Sequence, residues 1–289
     1  MEENSKKMSI HTPSEEELKE AHENYMRYLR ENPNNFSFWF PHLSVVKHHG
    51  IMVPQSHIVE VPEDIYQSFF QERSQDVKNI RLWAHKKVLP VIQNHFPGKE
   101  VFIKNGCYSG KFSFDKNCHL QPNATLKEIV EHLCEIQYGA ICAGFNGAGG
   151  YLEIVLREWI KPEDFTKTIY GGMPLRAEMR LFYDFDSHRP LYWVNYWDWD
   201  ECHDYIAETE DKEVYEEYYP YIDEEVKMYT AGHWDTICNA LAQVTGLKGV
   251  WSVDFILQKD KVWFIDAAVG NMSAYWDPER VKAAQNANE

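Results

Sequence analysis

Several signatures are missing from this chain, and each absence removes a class of function. Its six cysteines (107, 118, 134, 142, 202, 238) contain no CxxC pair. That argues against a zinc ribbon or a redox dithiol, and for reduced thiols in a cytoplasm-like compartment. There is no GxxxxGK[ST], GxGxxG, HExxH or GxSxG string, so the common phosphate-loop, dinucleotide, zincin and hydrolase motifs are absent. Cations are scarce, 29 Lys and Arg against 45 Asp and Glu, for a net charge of −16. A general basic surface for non-specific nucleic-acid binding is therefore not expected. Long apolar runs are lacking too. The longest uncharged stretch, 136–152, holds five glycines and an asparagine and does not fit a membrane span. The polar opening MEENSKKMSI has no signal-peptide core. The expectation is a cytoplasmic protein without a membrane partner.

What is present is enough apolar material to fold throughout: 289 residues, 44% hydrophobic and 15% aromatic, sufficient for one large domain or two. The acidity is concentrated. Residues 198–225 carry thirteen acids and one lysine, either a solvated helix face or a surface for a basic partner.

The most informative stretch is 249–276. VWSVDFIL and VWFIDAA read as two strands around the polar break QKDK, a hairpin signal. Each strand holds one acid, Asp254 and Asp266. A three-residue loop, 259–261, pairs Gln258 with Val262 and places Asp254 opposite Asp266; a two-residue loop puts the acids on opposite faces. Burying a lone carboxylate costs several kcal/mol. A shared Mg²⁺ removes that cost, and the competing arrangement has each acid meeting an Arg or water.

Elsewhere, Ser14 with Glu17 and Thr125 with Glu128 form capping boxes that open helices. The aromatic cluster 36–40 ending at Pro41 reads as irregular, HIVEV as a strand, and 62–95 as helical with breaks near Ser74 and before Pro90. A strand over 99–103 leads to Lys104, then to the loop NGCYSGKFSF and a second short strand. Residues 143–150 read as a turn. YLEIVLREWI, LRAEMRLFYD and RPLYWVNYWDW read as strands, the second with Glu178 and Arg180 on one face and Met179, Leu181 and Tyr183 on the other. Asp223 is expected to cap a long helix ending at Gly246, and the segment after Asp277 is a short polar helix or unstructured.

Lys104 beside a glycine-bearing loop can place a point charge on phosphates while loop amides cover them; the competing reading is a surface lysine at a hairpin. Arg157 and Glu158, and the cluster Arg176, Glu178 and Arg180, are either a nucleotide slot or a salt-bridge ladder. His48-His49 and Cys202-His203-Asp204 lack companion ligands at a zinc spacing. A carbohydrate-active enzyme is a further reading, from the aromatic content and the carboxylate pair.

Taken in order, VFIK, YLEIVLREWI, LRAEMRLF, WSVDF and VWFID resemble the ATP-grasp superfamily, in particular its cell-division-cycle (D123-like) branch and related bacterial and phage proteins. The resemblance covers 101–271 and, weakly, 36–41. It implies an α+β fold in which two subdomains clasp Mg-ATP, divided as 1–99 (mainly helical), 100–160 (Lys104 strand, loop, hinge) and 161–289 (with the acidic insertion 198–225 and the hairpin). It implies that Lys104, Ser109, Gly110, Lys111, Arg157, Glu178 and Arg180 bind ATP, with Glu158, Trp159 and Ile160 reading adenine. Arg180 and Lys104 would be catalytic. Asp254 and Asp266 would hold Mg²⁺, with Asn271 replacing the usual acid-x-Asn ligand, because Ala268 stands at that position. The implied activity is ATP-dependent carboxylate–amine ligation through an acylphosphate. The acceptor is an unidentified small molecule, peptide or protein, with an amine or basic character favoured if the aromatic, acidic segment 192–225 lines its side. The alternative implied is an ATP-binding assembly factor with little ligase activity.

Overall fold

The computed structural model describes residues 13–69, 74–144 and 152–286; the expected loose tail 1–12 and most of the turn at 143–150 lie outside them. α1 (Glu15–Glu31) begins at the expected capping box, in which Ser14 Oγ accepts from Glu17 N at 3.2 Å and the Glu17 carboxylate accepts from Ser14 N at 2.7 Å. The aromatic cluster is helical rather than irregular: it forms α2 (Phe36–Leu43) with Pro41 inside. Phe36, Trp39 and Leu43 recur at helical spacing and are fully buried, so packing outweighs the proline's missing amide.

After β1 (Ser56–Glu60) come α3 (Glu63–Ser68) and α4 (Ser74–Trp83). The break expected near Ser74 adjoins residues outside the description. The one expected before Pro90 does not occur: the chain runs through a π-helical turn (Ala84–Val88) into α5 (Leu89–His95). A wider turn of this kind accommodates local disruption of the i→i−4 ladder.

The first sheet joins β1 to β2 (Val101–Asn105), β3 (His119–Leu120) and β4 (Glu153–Glu158) in the order β1-β4-β2-β3, all antiparallel. Lys104 lies inside β2 rather than beyond its end. The second strand expected within NGCYSGKFSF is instead a 3₁₀ turn (Lys111–Ser113) followed by α6 (Phe114–Asn117). Phe114 is driven into the core while Phe112 stays exposed, an in/out pattern that a single helical turn meets as well as a strand. α7 (Leu126–Gly144) opens at the Thr125 capping box and covers this sheet.

The second sheet follows a small hairpin, β5 (Thr168–Ile169) and β6 (Met173–Pro174). It contains β7 (Glu178–Asp184), β8 (Arg189–Asn195), β9 (Val250–Gln258) and β10 (Lys261–Val269), ordered β10-β9-β7-β8 and antiparallel. Alternation sorts its faces: Met179, Leu181, Tyr183, Val253 and Phe255 enter the larger core, while Glu178, Arg180 and Asp254 share the other face.

α8 (Trp199–Ala207) and α9 (Lys212–Leu241) cover the core side. α9 corrects the expected start at Asp223: it begins at Lys212 and runs through Pro220. Tyr215, Ile222, Val226, Thr230, Ile237 and Leu241 bury one continuous stripe, which carries the helix past the proline. The acidic run is thus largely the outward face of two helices. α10 (Pro278–Asn286) closes the described chain. No helix among the described residues is long and apolar enough to cross a membrane, and all six cysteines are free.

The segment 1–99 contributes to both cores: Met26, Leu29, Ile80 and Trp83 to the one under the first sheet, Phe36, Trp39 and Leu43 to the one under the second.

Candidate nucleotide-binding cleft

The carboxylate pair forms by a different route from the expected one. The β9–β10 loop has two residues, with Lys261 opposite Gln258 and Phe264 opposite Phe255. That register alone would send the acids to opposite faces. A β-bulge between Phe264 and Asp266 shifts it by one, and Asp266 comes to lie opposite Asp254. The extra residue, Ile265, is left out of the ladder, and its carbonyl accepts from Arg157 Nη1.

Each acid meets a base. Arg180 lies opposite Asp254 across β7 and β9 and holds it with both arms, Nε to Oδ1 at 2.8 Å and Nη2 to Oδ2 at 2.6 Å. Its third nitrogen, Nη1, donates to Ala274 O at 3.2 Å. Burial opposes the charge on Arg180, but the Asp254 carboxylate more than offsets it and holds the guanidinium protonated. Lys104 crosses from the first sheet to Asp266 Oδ2 at 2.8 Å, with 2% of its side chain exposed against 37% for Asp266. One strand of the first sheet and three of the second thus contribute to a single charged cluster.

Lys104, Asp254 and Asp266 line a slot between the two sheets that, with the space at its open mouth, measures about 680 Å³. Phe102, Lys104, Arg157, Glu158, Trp159 and Ile160 form its first wall; Arg176, Glu178, Asp254 and Ile256 form the second. A wider cavity of about 1560 Å³ adjoins it and shares Ser109, Lys111, Tyr196, Asp254 and Asp266. Asn271, Ser252, Ser273, Ala268 and Arg180 line that second space.

Of the residues expected from the sequence, the fold gathers Lys104, Ser109, Lys111, Arg157, Glu158, Trp159, Ile160, Glu178, Arg180, Asp254, Asp266 and Asn271 around this cleft. Gly110 instead turns the loop at φ 65°, its carbonyl held by Asn117 Nδ2 at 3.0 Å. Of Tyr192, Trp193, Tyr196, Trp197 and Trp199, only Tyr196 lines the cleft. Trp197 is in the core and Tyr192 stacks on Phe182, so of these five aromatics Tyr196 is the one the fold turns toward the cleft. Lys111 Nζ contacts Tyr196 Oη and lies 3.8 Å from the centre of its ring.

Sequence reasoning assigned no role to Phe36 or to the Ile265 carbonyl. The Phe36 ring lies 5.9 Å from Lys104 Nζ and 5.4 Å from the Arg157 guanidinium. It is the floor on which both bases rest, and the resemblance over 36–41 is the one signal that pointed to it. Arg176 was seen only as part of a charged cluster; its Nη1 donates to Ile160 O at 2.8 Å, so one hinge carbonyl already has a partner.

Two observations show what the cleft suits. Arg157 Nη2 is buried without a hydrogen-bond partner and its side chain lines the slot; burial pulls its pKa down to about 10, with Asp266 opposing. An unsatisfied guanidinium nitrogen in a slot is suited to an anionic oxygen. Asp254 and Asp266 offer about four lone-pair sites each, so their contacts with Arg180 and Lys104 leave capacity for a hard cation. Among the described residues no group of three or more His, Cys, Asp or Glu converges on a metal position; Asn271, Ser252 and Ser273 line the same cavity as the two acids and carry further side-chain oxygens. The acids lie on neighbouring strands of one wall. The two acids of a glycosidase flank an open cleft, whereas these stand side by side on one sheet.

Glu178 provides a pH prediction. It is 3% exposed and bonded to Arg176 Nε at 3.4 Å. Burial raises its pKa above the usual 4.5, with Arg176 opposing. The folded chain therefore holds the proton more tightly than the unfolded one. That contribution is full below the unfolded value and is lost as pH rises through the raised folded value. Glu178→Gln removes it, so the urea midpoint of the variant should gain on wild type as pH rises from 4.5. A difference independent of pH contradicts this assignment.

No family model matches the chain, and no curated protein does. Solved structures do show likeness. Cdc123 from Schizosaccharomyces pombe aligns at 14% identity over 87% of each chain, with a TM-score of 0.47. A D-alanine–D-alanine ligase from Bacillus anthracis complexed with ATP aligns at 9% identity over 87% of this chain and 59% of that one, with a TM-score of 0.37. A RimK-domain ATP-grasp protein from Sphaerobacter thermophilus aligns at 11% identity over 87% of this chain and 62% of that one, with a TM-score of 0.35.

Proposed function

We propose that the cleft binds ATP with Mg²⁺ and that the protein is an ATP-dependent carboxylate–amine ligase. The observation that carries this is the convergence of Lys104, Arg157, Arg180 and Lys111 with two opposed carboxylates at the junction of an apolar slot and a wider polar cavity. The slot suits a base and ribose between Phe102, Trp159, Ile160 and Ile256. The junction suits the phosphates, and the wider cavity the acceptor.

Each side chain then has a task. Arg157 Nη2 and Lys104 receive phosphate oxygens from a buried, pre-set position, so little reorganisation is needed. Lys111 enters from the loop that follows β2 and rests on Tyr196. Arg180, fixed by Asp254, faces the wider cavity and offsets charge on the group being transferred. Asp254, Asp266 and Asn271 are the residues that would hold Mg²⁺, which supplies charge neutralisation between the phosphates when bound. A carboxylate acceptor takes the γ-phosphoryl group and ADP leaves. The amine then attacks the acylphosphate carbon, phosphate leaves, and the amine gives up a proton to solvent. No protein nucleophile is required.

Ala268 favours the second reading, an assembly factor that holds ATP with little ligation. Its methyl group lines the cavity where the resemblance expects a ligating amide. ADP release decides between the two. Ligation predicts release that depends on added carboxylate and amine together, tested across amino acids, diamines and basic peptides. Tight Mg-ATP binding with no acceptor-dependent ADP supports the assembly factor. Neither nucleotide binding nor ADP release overturns both.

A further inference from the structure

The loop 106–113 carries Ser109 and Lys111 to the cleft from the first sheet, yet its far end is fastened to the second half of the molecule. The amides of Phe114 and Asp115, which begin α6 and have no intrahelical partner there, donate to Tyr170 O at 2.8 Å and Gly171 O at 3.0 Å. The Phe112 ring meets the Tyr170 ring edge-on at 5.1 Å. Both receiving carbonyls belong to the β5–β6 turn, and this turn has an uncommon backbone: Tyr170, Gly171 and Gly172 stand at φ 52°, 67° and 114°. A left-handed tyrosine is unfavourable unless its surroundings hold it. The holding contact is on the page: Tyr170 N donates to Asp211 Oδ2 at 2.7 Å. Asp211 immediately precedes α9, inside the acidic run. At φ 114° Gly172 holds an angle that side-chain-bearing residues rarely adopt, and a Cβ there would stand 2.4 Å from Asp115 Oδ1 and displace that carboxylate.

We propose that the β5–β6 turn is a seat that sets loop 106–113 over the cleft, with Asp211 and Gly172 as positioning residues for Lys111. Asp211 fixes the turn, the turn presents two carbonyls, and these fix the start of α6. The preceding loop then brings Lys111 onto Tyr196 at the junction of the two cavities. The inference rests on reading that junction as the phosphate site. It gives one member of the acidic run a defined task inside the chain, independent of any basic partner.

The test has two arms. Hydrogen exchange at the Phe114 and Asp115 amides is measured without nucleotide, and Mg-ATP affinity is measured alongside. Asp211→Ala should speed exchange at both amides about fivefold and raise the Kd for Mg-ATP about tenfold, at an unchanged melting temperature, as expected for losing a few modest hydrogen bonds. Asp211→Asn keeps an oxygen acceptor and should behave as wild type. Gly172→Ala, at a backbone angle that L-residues rarely adopt, should repeat the effect of Asp211→Ala. Unchanged exchange in both Asp211→Ala and Gly172→Ala overturns the proposal, and so does faster exchange with unaltered Mg-ATP affinity. If wild type itself does not bind Mg-ATP, the proposed function and the claim about Lys111 both fall, while the exchange arm still decides whether the turn seats the loop.

Discussion

Asp254→Ala should destabilise the protein by about 3–5 kcal/mol, the usual cost of removing one partner from a buried ion pair. The reason lies in what remains. Arg180 is 8% exposed and directs two of its three nitrogens at Asp254; without the carboxylate it keeps the Ala274 carbonyl and the Tyr196 ring. Neither supplies a charge. Arg180→Met should cost a similar amount by leaving Asp254 unpaired. The double variant should lose clearly less than the sum, because it removes both charges. Urea denaturation of the four proteins measures the coupling. Additive losses would show that the pair is already solvated and would weaken the account of how this wall is built.

Lys104→Met is the second large effect, and it is opposite in kind. Met keeps most of the buried volume over Phe36, and Asp266, at 37% exposure, can turn to water. Stability should change by about 1 kcal/mol or less, as for partly solvated pairs. Mg-ATP affinity should fall by about one to two orders of magnitude, since a charge-assisted hydrogen bond contributes about 1.5–3 kcal/mol. A variant that loses stability but keeps its affinity would make Lys104 a structural member of the ion-pair cluster.

Part of the local chemistry is legible in consecutive residues. Both capping boxes, the strand faces of β7 and the strand composition of β9 and β10 follow from periodicity and side-chain type. The partnership of Asp254 with Asp266 was legible as a need, since two lone acids in apolar strands require some compensation. Its route was not. Loop length and bulge trade one residue against each other, and the bulge at Ile265 is held from outside the hairpin, by Arg157 of the other sheet. Basic side chains reach the acids from β7 and β2; that an acid can meet an arginine is the competing arrangement of the sequence reading, but which bases arrive is a long-range fact that no spacing encodes. α9 was misjudged for a related reason. Asp223 looks like a cap and Pro220 like a stop, yet a stripe from Tyr215 to Leu241 packs against the sheet, and tertiary burial outweighs both signals.

The site itself came mostly from order along the chain. Lys104, Arg157, the strand holding Glu178 and Arg180, and the hairpin holding Asp254 and Asp266 are separated from one another by tens of residues, and no local motif joins them. Recognising their sequence of strands brought them together, and the fold then placed them on facing walls. The sequence offers Arg176 as one of a charged cluster and Tyr196 as one of several aromatics in 192–225, and only the fold singles each out as lining the slot. The seat at Tyr170–Gly172 had one trace in the sequence, two adjacent glycines after a tyrosine, and nothing to connect it with Asp211.

The central claim is that the cleft between the two sheets binds ATP through Mg²⁺ and Lys104. Calorimetric titration of ATP into the wild-type chain, with and without Mg²⁺, and into Lys104→Met tests it most directly. The account predicts saturable binding at one site per chain that requires Mg²⁺ and weakens by about one to two orders of magnitude in the variant. Absence of binding to wild type, or equal affinity without Mg²⁺ and in the variant, would contradict it.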